Sequence, residues 1–411
     1  MIVLALNSGS SSLKFQVLDI DARSRDEPRR LAKGLIERIG GPARLTLEAQ
    51  GHPAQRDEAT IADHDAAVRR TLGWARASVP PLHAVGHRVV HGGNRYRCPV
   101  VIDARVDTAL EDLEALAPLH NGPNLAGIRA CRRELGDRVP SVAVFDTAFH
   151  AGLPEPAARY AIPEELSRRH GIRRFGFHGI SYQSVLSRYC RLTRTPPSEA
   201  TLVALHLGNG ASATAIKNGR SVDTSMGFTP LEGLVMGTRS GDLDPALVGH
   251  LARVEGVSVD EVERWLNERS GLLGLSGVSR DMRELMERAG DDERARLAVE
   301  VFCYRARKYL GAYLAVLGGA RAVVFTGGIG EHWHEVRARI CADMDWCGLT
   351  LDPRLNAELS GREGPISPPS ARIQAWVIPT DEELVIAQAT FDCLDGQHRR
   401  LEPRAAEEDK R

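Results

Sequence analysis

The feature that most restricts the fold of this chain is an internal repeat, in which a hydrophobic strand, a turn of small residues and a second strand occur twice in the same order. The first copy is 6–12, Leu-Asn-Ser-Gly-Ser-Ser-Ser, and the second is 207–213, Leu-Gly-Asn-Gly-Ala-Ser-Ala. A supersecondary pattern that recurs along a chain is typical of a repeated architecture. The repeat therefore predicts a duplicated domain whose equivalent hairpins face each other across a cleft, where ligands bind.

The remaining sequence agrees with α/β domains. At 411 residues the chain suits two or three domains of roughly 100 to 200 residues each. Apolar and β-branched runs alternate with helical patterns, and the early hairpin predicts mixed rather than purely parallel sheets. The predicted strands are 2–6, 15–18, 84–90, 139–145, 201–207, 213–216, 322–325 and 373–378, and the predicted loops are 21–30, 51–65, 192–200 and 360–371.

Three helices have clear start or stop signals. Residues 293–317 carry apolar side chains at a spacing near 3.6 and are followed by two glycines, which predicts a long buried helix. Asp244 before Pro245 and Ser258 before an acidic turn are typical helix starts.

Composition argues against several classes of protein. Charged residues make up 26% of the chain and the net charge is -1, so no broad basic face is available and we expect no nucleic acid partner. The seven cysteines are scattered without a C-x-x-C pair, which makes a disulfide framework or a zinc ribbon a poor interpretation. A signal peptide and a membrane-spanning apolar run are not recognisable. We therefore expect a cytoplasmic protein with no membrane partner.

The first hairpin has the composition of a phosphate-binding turn. Residues 7–14 supply a glycine, exposed hydroxyls at Ser10 and Ser12, and a cation at Lys14, all of which suit negative oxygens. No G-x-x-x-x-G-K-[ST] motif occurs, so a P-loop fold is not expected. Taken alone, an ordinary serine-rich turn is the better interpretation of this segment. The second copy of the hairpin shifts the balance toward phosphate binding.

A third glycine-rich segment, 325–331, follows a buried strand and precedes a helix. Its backbone amides could hold the phosphates of a nucleotide. Taken alone, a tight turn between strand and helix is the better interpretation.

Histidine and arginine recur near the ends of the predicted strands, where ligand sites gather in α/β sheets. This pattern predicts an anion site. For His87, His91 and His150 a structural role with satisfied hydrogen bonds is the better interpretation. Magnesium suits the site better than zinc, because the H-E-x-x-H motif and other zinc spacings are missing. The polar segments are 87–93, 119–121, 145–147, 177–179, His206 and 237–242.

These strings together resemble the acetate kinase family. The resemblance is carried in chain order by 6–15, 145–150, 176–179, 206–210, 223–227, 325–331 and 379–383. It implies the fold of the sugar kinase, heat-shock chaperone and actin superfamily, with two duplicated actin-like ATPase domains of the ribonuclease H-like type and mixed sheets around a central cleft. It also implies an N-terminal lobe of 1–148 plus 384–411, a C-terminal nucleotide-binding lobe of 149–383, and a homodimer.

The resemblance assigns roles to individual residues. Asn7 and Glu382 would bind the metal. The catalytic residues would be Asp146, Arg88, Arg239, His178 and His120, and the acetate would contact Arg88, Val90, Leu119, Phe177 and Pro230. The nucleotide would be bound by Lys14, Ser10, Ser12, His206, Leu207, Gly208, Asn209, Gly210, Asp281, Met282, Arg283, Gly328, Ile329, Gly330, Glu331 and His332.

The activity implied is reversible, magnesium-dependent transfer of a phosphoryl group between ATP and acetate by direct in-line attack, giving acetyl phosphate and ADP, with Mn2+ able to substitute. Acetate is ionised at pH 7 and needs no general base. Repulsion between two anions is the main barrier, so arginine, a divalent cation and a donating histidine suit the reaction. The alternatives are a propionate or butyrate kinase of the same family and a non-catalytic ATP-binding switch module.

The chain departs from the usual family pattern near the expected ligands. Asp381 replaces the usual Asn before the metal-binding glutamate, His332 replaces an Asn, and Met282 replaces an aromatic residue. These differences leave the implied chemistry intact. They bear on nucleotide preference, adenine stacking and magnesium affinity, since a softer Met side chain and an extra carboxylate both change the local environment.

Overall fold

The computed structural model describes residues 1–23, 25, 27–116, 118–136 and 138–401, and the side chains of these except at 115–120 and 397–401. The chain divides into two compact units. Unit 1 is Met1–Ala148 with Asp381–Arg411, and unit 2 is Phe149–Thr380. The chain returns to unit 1 at Asp381, which accepts a hydrogen bond from Gln16, and the two glutamates after it accept from Asn7. The lobes predicted at 1–148 plus 384–411 and at 149–383 stay predictions.

Unit 1 is built on a sheet of eight strands in the order β5-β4-β3-β2-β1-β6-β8-β7. Helices α1 and α3 pack against each other and contact this sheet. The elements are β1 Ile2–Ser8, β2 Ser12–Asp19, β3 Arg29–Glu37, β4 Gly41–Ala49, β5 Gln55–Ile61, α1 His64–Ser78, β6 Ala84–Val89, β7 Val100–Val101, α2 Ala104–Asp112, α3 Pro118–Leu135 and β8 Ser141–Phe145.

Unit 2 is built on a sheet of six strands in the order β11-β10-β9-β12-β14-β13. The elements are α4 Glu155–Ala158, α5 Glu164–His170, α6 Gly179–Thr193, β9 Leu202–Leu207, β10 Ala211–Lys217, β11 Arg220–Thr224, α7 Ala246–Glu255, α8 Val259–Glu268, α9 Gly271–Ser276, α10 Met282–Arg288, α11 Glu293–Leu317, β12 Ala322–Thr326, α12 Gly327–His332, α13 His334–Cys341, α14 Pro353–Glu358, β13 Gly364–Pro365 and β14 Gln374–Val377. The chain then returns to unit 1 as α15 Glu382–Leu401, which packs on β1, β6 and β8.

The two sheets share one framework. Five strands of unit 1, in the order β3-β2-β1-β6-β8, correspond to β11-β10-β9-β12-β14 of unit 2. In each set the first three strands in the chain are paired antiparallel in succession. The fourth strand is paired parallel with the first, and the fifth is paired parallel with the fourth. The repeated segments at 6–12 and 207–213 form the turns β1–β2 and β9–β10. The α/β class with duplicated mixed sheets is therefore confirmed.

Burial explains which strands the sequence revealed. Every residue of β1 and of β12 is buried, so each reads as a continuous apolar run. Strand β5 lies at the sheet edge, and most of its residues are exposed and polar. The predicted loop at 51–65 is wrong because it contains this edge strand, whose charged side chains are typical of edges.

Helix α11 has the predicted limits, 293–317. Asp292 caps its N-terminus, and Gly318, with a φ of 71°, ends it in the left-handed region. The prediction that the helix is buried is wrong for one face, since Leu297 and Tyr304 are 49% and 59% exposed. Ser258 caps α8 as predicted, through the N–H of Glu261. None of the helices in the described part of the chain is long and apolar enough to cross a membrane.

Candidate active site

In unit 1, Arg88 is held in a hydrogen-bonded polar cluster. Its Nε and Nη2 atoms donate to Oδ2 of Asp146 over 3.0 and 2.6 Å. Its Nη1 atom donates to Oδ1 of Asn7 over 3.0 Å. Arg88 lies on β6, Asp146 directly follows β8, and Asn7 lies on β1. These three strands are parallel neighbours, so their carboxyl ends bring together three residues that are far apart in the sequence.

The first turn of α15 adds two carboxylates to this cluster. The Nδ2 atom of Asn7 donates to Oε2 of Glu382 over 2.8 Å and to Oε1 of Glu383 over 2.9 Å. Glu382 was predicted from the family motif, whereas no role was predicted for Glu383. The sequence shows three consecutive acidic residues at 381–383. It does not show which of their carboxylates contact Asn7.

The carboxylates of this cluster keep the guanidinium group of Arg88 charged. Burial alone would lower the pKa of Arg88, but the negative charges of Asp146, Glu382 and Glu383 raise it above its usual value. Burial, together with the charge of Glu382, raises the pKa of Glu383, and the hydrogen bond from Asn7 opposes that rise. The cluster therefore combines a permanent cation with closely spaced carboxylates.

This arrangement fits a small divalent cation that shares its ligands with phosphates. Asn7 and Glu382 offer the oxygen atoms that magnesium prefers. Within the described residues, no group of three or more His, Cys, Asp and Glu side chains could hold a metal ion.

The residues of the β1–β2 turn lie beside the same cluster. The N–H of Gly9 donates to the carbonyl oxygen of Ser12 over 2.8 Å, which closes the turn at Ser10. Lys14 is paired with Asn7 in the antiparallel register of β1 and β2. Its positive charge acts to lower the pKa of Glu383.

The carboxylate of Asp381 contacts β2, β3 and the first turn of α15. Its Oδ1 atom accepts from Gln16 over 2.8 Å and from the N–H of Leu384 over 3.1 Å, and its Oδ2 atom accepts from Arg30 over 2.9 Å. The residue therefore caps α15 and pairs with a cation of β3.

Amide side chains of α3 hold the end of β6, where Val90 is buried. Oδ1 of Asn124 accepts from the N–H of Val90 over 3.1 Å, and its Nδ2 atom donates to the carbonyl oxygen of Ser8 over 3.0 Å. The predicted substrate residue Leu119 and the predicted catalytic residue His120 belong to the same helix. Their side chains lie outside the described residues, so both assignments stay predictions.

In unit 2, His178 is positioned by a short chain of hydroxyl groups. It precedes α6 with a φ of 57°, in the left-handed region. Its Nδ1 atom lies 2.8 Å from Oγ of Ser212, and that oxygen lies 2.5 Å from the hydroxyl of Tyr182. If Tyr182 donates to Ser212, the serine donates to Nδ1, and Nε2 of His178 then carries the ring proton. Neither Ser212 nor Tyr182 was predicted as a site residue.

His178 and Arg239 both lie beside the β9–β10 turn. A Cβ atom on Gly210 would be 3.4 Å from Nε2 of His178 and 3.9 Å from Nη1 of Arg239. The same guanidinium atom donates to the carbonyl oxygen of Pro230 over 3.1 Å. The ring of His206 stacks on that of His178 with centroids 4.2 Å apart. The structure therefore brings together five predicted residues, one cation and two imidazoles among them, around one hairpin.

The glycine loops of unit 2 are adjacent in space. The N–H of Gly208 donates to the carbonyl oxygen of Gly210 over 3.0 Å, which makes the turn tight. Gly327, with a φ of 75°, packs on the backbone of Leu207, where a Cβ atom would be 2.7 Å from the carbonyl oxygen. The predicted loops 206–210 and 328–332 therefore meet at the ends of the parallel strands β9 and β12.

Several predicted nucleotide residues turn their side chains toward the protein. Oε1 of Glu331 accepts from the N–H of Gly327 over 2.9 Å, the imidazole of His332 packs on Gly361, and Met282 is buried at the start of α10. Asp281 caps that helix through the N–H of Arg283 over 2.8 Å. Met282, which replaces the aromatic residue of the usual family pattern, is therefore a core residue in this structure.

The histidines interpreted as structural residues are buried. Burial lowers the pKa of His87 to about 3 and that of His150 to about 4. His150 lies 3.1 Å through Nε2 from the carbonyl oxygen of Phe177 and 2.7 Å through Nδ1 from Oγ of Ser221. It thus contacts the backbone directly before His178, at Phe177, whose buried side chain is a predicted acetate contact.

Comparison with known proteins gives consistent results. A sequence model of the acetokinase family matches residues 2–388. The chain is 53% identical to an acetate kinase of Solibacter usitatus, over 97% of this chain and 99% of that protein. The crystal structure of Porphyromonas gingivalis acetate kinase aligns with a TM-score of 0.86 and 40% identity, over 96% of this chain and 99% of that one. A propionate kinase from Francisella tularensis aligns with a TM-score of 0.87 and 37% identity, over 95% and 99% of the two chains.

Proposed function

Since the chain belongs to the acetokinase family, we propose that it is an acetate kinase, which transfers the γ-phosphoryl group of ATP to the carboxylate of acetate and runs in both directions. The observation that carries the proposal is the approach of His178 and Arg239 to one glycine of the β9–β10 turn. A cation and an imidazole beside a glycine turn suit a phosphoryl group in transit.

The groups of unit 2 would stabilise the transferred phosphoryl. In a loose transition state, negative charge spreads over the equatorial oxygens of that group. Arg239 supplies a fixed positive charge, and Nε2 of His178 supplies a hydrogen-bond donor when Ser212 donates to Nδ1. Both act without a proton transfer, because acetate is already the ionised nucleophile at pH 7.

The groups of unit 1 would bind acetate and the cation. Arg88, kept charged by Asp146, suits the acetate carboxylate, and Val90 would contact the methyl group. Asn7 and Glu382 would hold Mg2+, or Mn2+ in its place, and the ion would neutralise charge on the nucleotide phosphates. Asp146 would orient Arg88.

ATP and ADP would be bound by the glycine loops of unit 2. Residues 206–210 and 328–332 present backbone amides at the ends of two parallel strands, which is where phosphates bind in α/β proteins. The side chains of Asp281, Met282 and Glu331 are engaged in capping or in the core, so their share of nucleotide binding would come from the backbone. Ser10, Ser12 and Lys14 would contact the terminal phosphates.

Formation of acetyl hydroxamate from acetate, ATP, Mg2+ and hydroxylamine tests the activity directly. We expect product with acetate and a lower kcat/KM with propionate and butyrate. An extra methylene group changes binding by only about 1 to 3 kcal/mol, so some turnover of propionate is expected. No product at high enzyme concentration would instead favour an ATP-binding switch module.

A propionate kinase is the second candidate, because a solved propionate kinase aligns as well as the acetate kinase structure does. The buried Val90 favours the smaller acid, since a branched side chain shortens the space for the alkyl group. A kcat/KM that is higher for propionate than for acetate would decide for this alternative.

We further propose a cytoplasmic homodimer. The support is the family resemblance and the scattered cysteines, which suit a reducing compartment. Light scattering on the purified protein would give a mass close to twice 44.9 kDa, and a monomer mass would contradict the proposal.

A further inference from the structure

Two irregular segments lead to the proposed catalytic groups of unit 2. Residues 174–178 end at His178, and residues 225–239 run from the end of β11 to Arg239. The segments are joined by their backbones, because the N–H groups of Phe175 and Gly176 donate to the carbonyl oxygen of Gly227 over 3.0 and 3.3 Å. The second segment also holds Arg239 through the carbonyl oxygen of Pro230. The position of residues 225–232 therefore affects both catalytic groups.

A cluster of three polar side chains, Tyr160, Arg174 and Glu232, lies at this junction. Nη2 of Arg174 donates to Oε1 of Glu232 over 2.6 Å. The hydroxyl of Tyr160 donates to the other carboxylate oxygen and accepts from the N–H of Phe228 over 2.8 Å. The guanidinium carbon of Arg174 lies 5.5 Å from the centre of the Tyr160 ring. Each carboxylate oxygen of Glu232 therefore accepts a hydrogen bond, one from Arg174 and the other from Tyr160.

Arg174 also binds the backbone at the end of β11. Its Nη1 atom lies 3.2 Å from each of the carbonyl oxygens of Thr224, Ser225 and Met226. A guanidinium group offers five donors in a fixed plane, so one side chain can hold a bend of the chain and a carboxylate together.

Gly227 leaves the space that the cluster needs. A Cβ atom at this position would be 1.7 Å from Oε2 of Glu232 and 2.1 Å from the Tyr160 hydroxyl. The carboxylate and the phenol therefore lie directly against the backbone of the loop, and any side chain at 227 would displace them.

We propose that Glu232, held by Tyr160 and Arg174, is a positioning residue that fixes residues 225–232 so that Pro230 contacts acetate and its carbonyl orients Arg239. This inference rests on the proposed acetate kinase activity. The glycine loops at 206–210 and 328–332 are not part of the cluster, so its loss should affect acetate more than ATP. Groups that support a reacting residue typically change activity by about 10-fold to 100-fold when removed.

The test is Tyr160→Phe, which removes one hydroxyl and keeps the ring. We expect kcat/KM for acetate to fall by about tenfold or more, KM for ATP to stay unchanged, and the preference for acetate over propionate to shrink. The matched control is Tyr189→Phe, because Tyr189 is a tyrosine of unit 2 away from the cluster, packed on Trp376. A merely structural role would lower the thermal midpoint without changing either KM or the preference.

Two variants of Glu232 make the test independent of folding losses. Glu232→Gln keeps an acceptor for Arg174 and should recover much of the activity that Glu232→Ala loses. If Glu232→Ala does not fold, the kinetics of Tyr160→Phe and Glu232→Gln still test the positioning role. The positioning role is overturned if the folded variants keep the KM for acetate and the acetate preference of an active wild type. A wild type that makes no acetyl phosphate would contradict the proposed function instead.

Discussion

The two units use the same strand framework for different kinds of polar site. In unit 1 the parallel strand after the hairpin carries Arg88, which is paired with the buried carboxylate of Asp146. In unit 2 the equivalent strand, β12, carries no charged residue, and the cation comes from Arg239 on an irregular loop, where it contacts a backbone carbonyl. One arginine is therefore fixed by a counter-ion on the sheet, and the other is oriented by the conformation of a loop.

This difference shows where chemistry is determined in a duplicated fold. The sheet order and the hairpin are shared, but the reactive side chains come from whatever follows each strand. Unit 1 places its cation by strand pairing, which is rigid. Unit 2 places its cation by a loop whose shape depends on a separate cluster of side chains.

The largest expected effect is on the loop arginine. Arg239→Ala should lower kcat by about 100-fold to 1000-fold, because a positioned charge beside the transferred phosphoryl is lost. The thermal midpoint should change little, since the side chain is only partly buried. Steady-state kinetics and thermal unfolding check both statements, with the exposed Arg253→Ala in α7 as control. Near-normal turnover of Arg239→Ala would remove this residue from the mechanism.

The ion pair of Arg88 and Asp146 should contribute to stability, whereas Arg239 should not. Asp146→Ala leaves a guanidinium half-buried without its main carboxylate, and breaking such a pair typically costs about 3 to 5 kcal/mol. We expect a lower free energy of unfolding as well as loss of activity, whereas Arg239→Ala loses activity alone. Urea unfolding of the two variants beside the wild type measures the contrast. Equal stability of all three proteins would show that the counter-ion is unimportant.

The hydroxyl chain behind His178 should have a smaller effect. Ser212→Ala removes the group that contacts Nδ1, so the proton on Nε2 is no longer fixed, and kcat should fall by about tenfold. Tyr182→Phe should act in the same direction, because Tyr182 contacts the same serine oxygen. Additive losses in the double variant would indicate that the two hydroxyls act separately rather than as one chain.

The pH dependence of stability should be similar in the two units. His87 in unit 1 and His150 in unit 2 have pKa values of about 3 and about 4, below the usual 6.5. Since the unfolded chain binds these protons first, the stability from both groups is complete above pH 6.5 and is lost as pH falls toward 4 and then 3. At pH 5 each should have lost on the order of 2 kcal/mol.

Urea unfolding at pH 7 and pH 5 checks this prediction. The difference in unfolding free energy between the two pH values should be smaller in His87→Gln and in His150→Gln than in the wild type. Acidic groups contribute a background that is common to all three proteins. A difference that is the same in the variants would mean that these histidines are protonated in the folded state.

The sequence predicted those strands and helices that are buried along their length or that have clear capping residues. Strands such as β1 and β12 were found because both faces are buried and the residues are uniformly apolar, and α11 was found because its caps at Asp292 and Gly318 are local signals. The edge strand β5 was missed because it is polar on both faces. The family resemblance assigned roles to Arg88, His178 and Arg239, but periodicity alone would not have distinguished them from structural residues.

The partners of those residues could not be found in the same way. Ser212, Glu383 and Glu232 are ordinary residues for a strand, a helix start and a loop, and they acquire roles only through contacts with residues far away in the chain. Such contacts depend on strand register and on loop conformation, neither of which a local pattern specifies.

The smallest expected effect concerns Asp381, the residue that departs from the family pattern beside the proposed metal ligand. Its carboxylate accepts from Gln16, from Arg30 and from the first turn of α15, so its charge is already compensated on the side of β2 and β3. Asn caps a helix about as well as Asp. We therefore expect Asp381→Asn to change the Mg2+ concentration for half-maximal activity by less than about threefold, in contrast to Glu382→Gln, which should raise it by at least about tenfold. Titration of activity with Mg2+ at saturating ATP compares the two variants. A large shift in Asp381→Asn would mean that the carboxylate leaves Arg30 when the nucleotide binds, and that unit 1 is less rigid than its strand pairing implies.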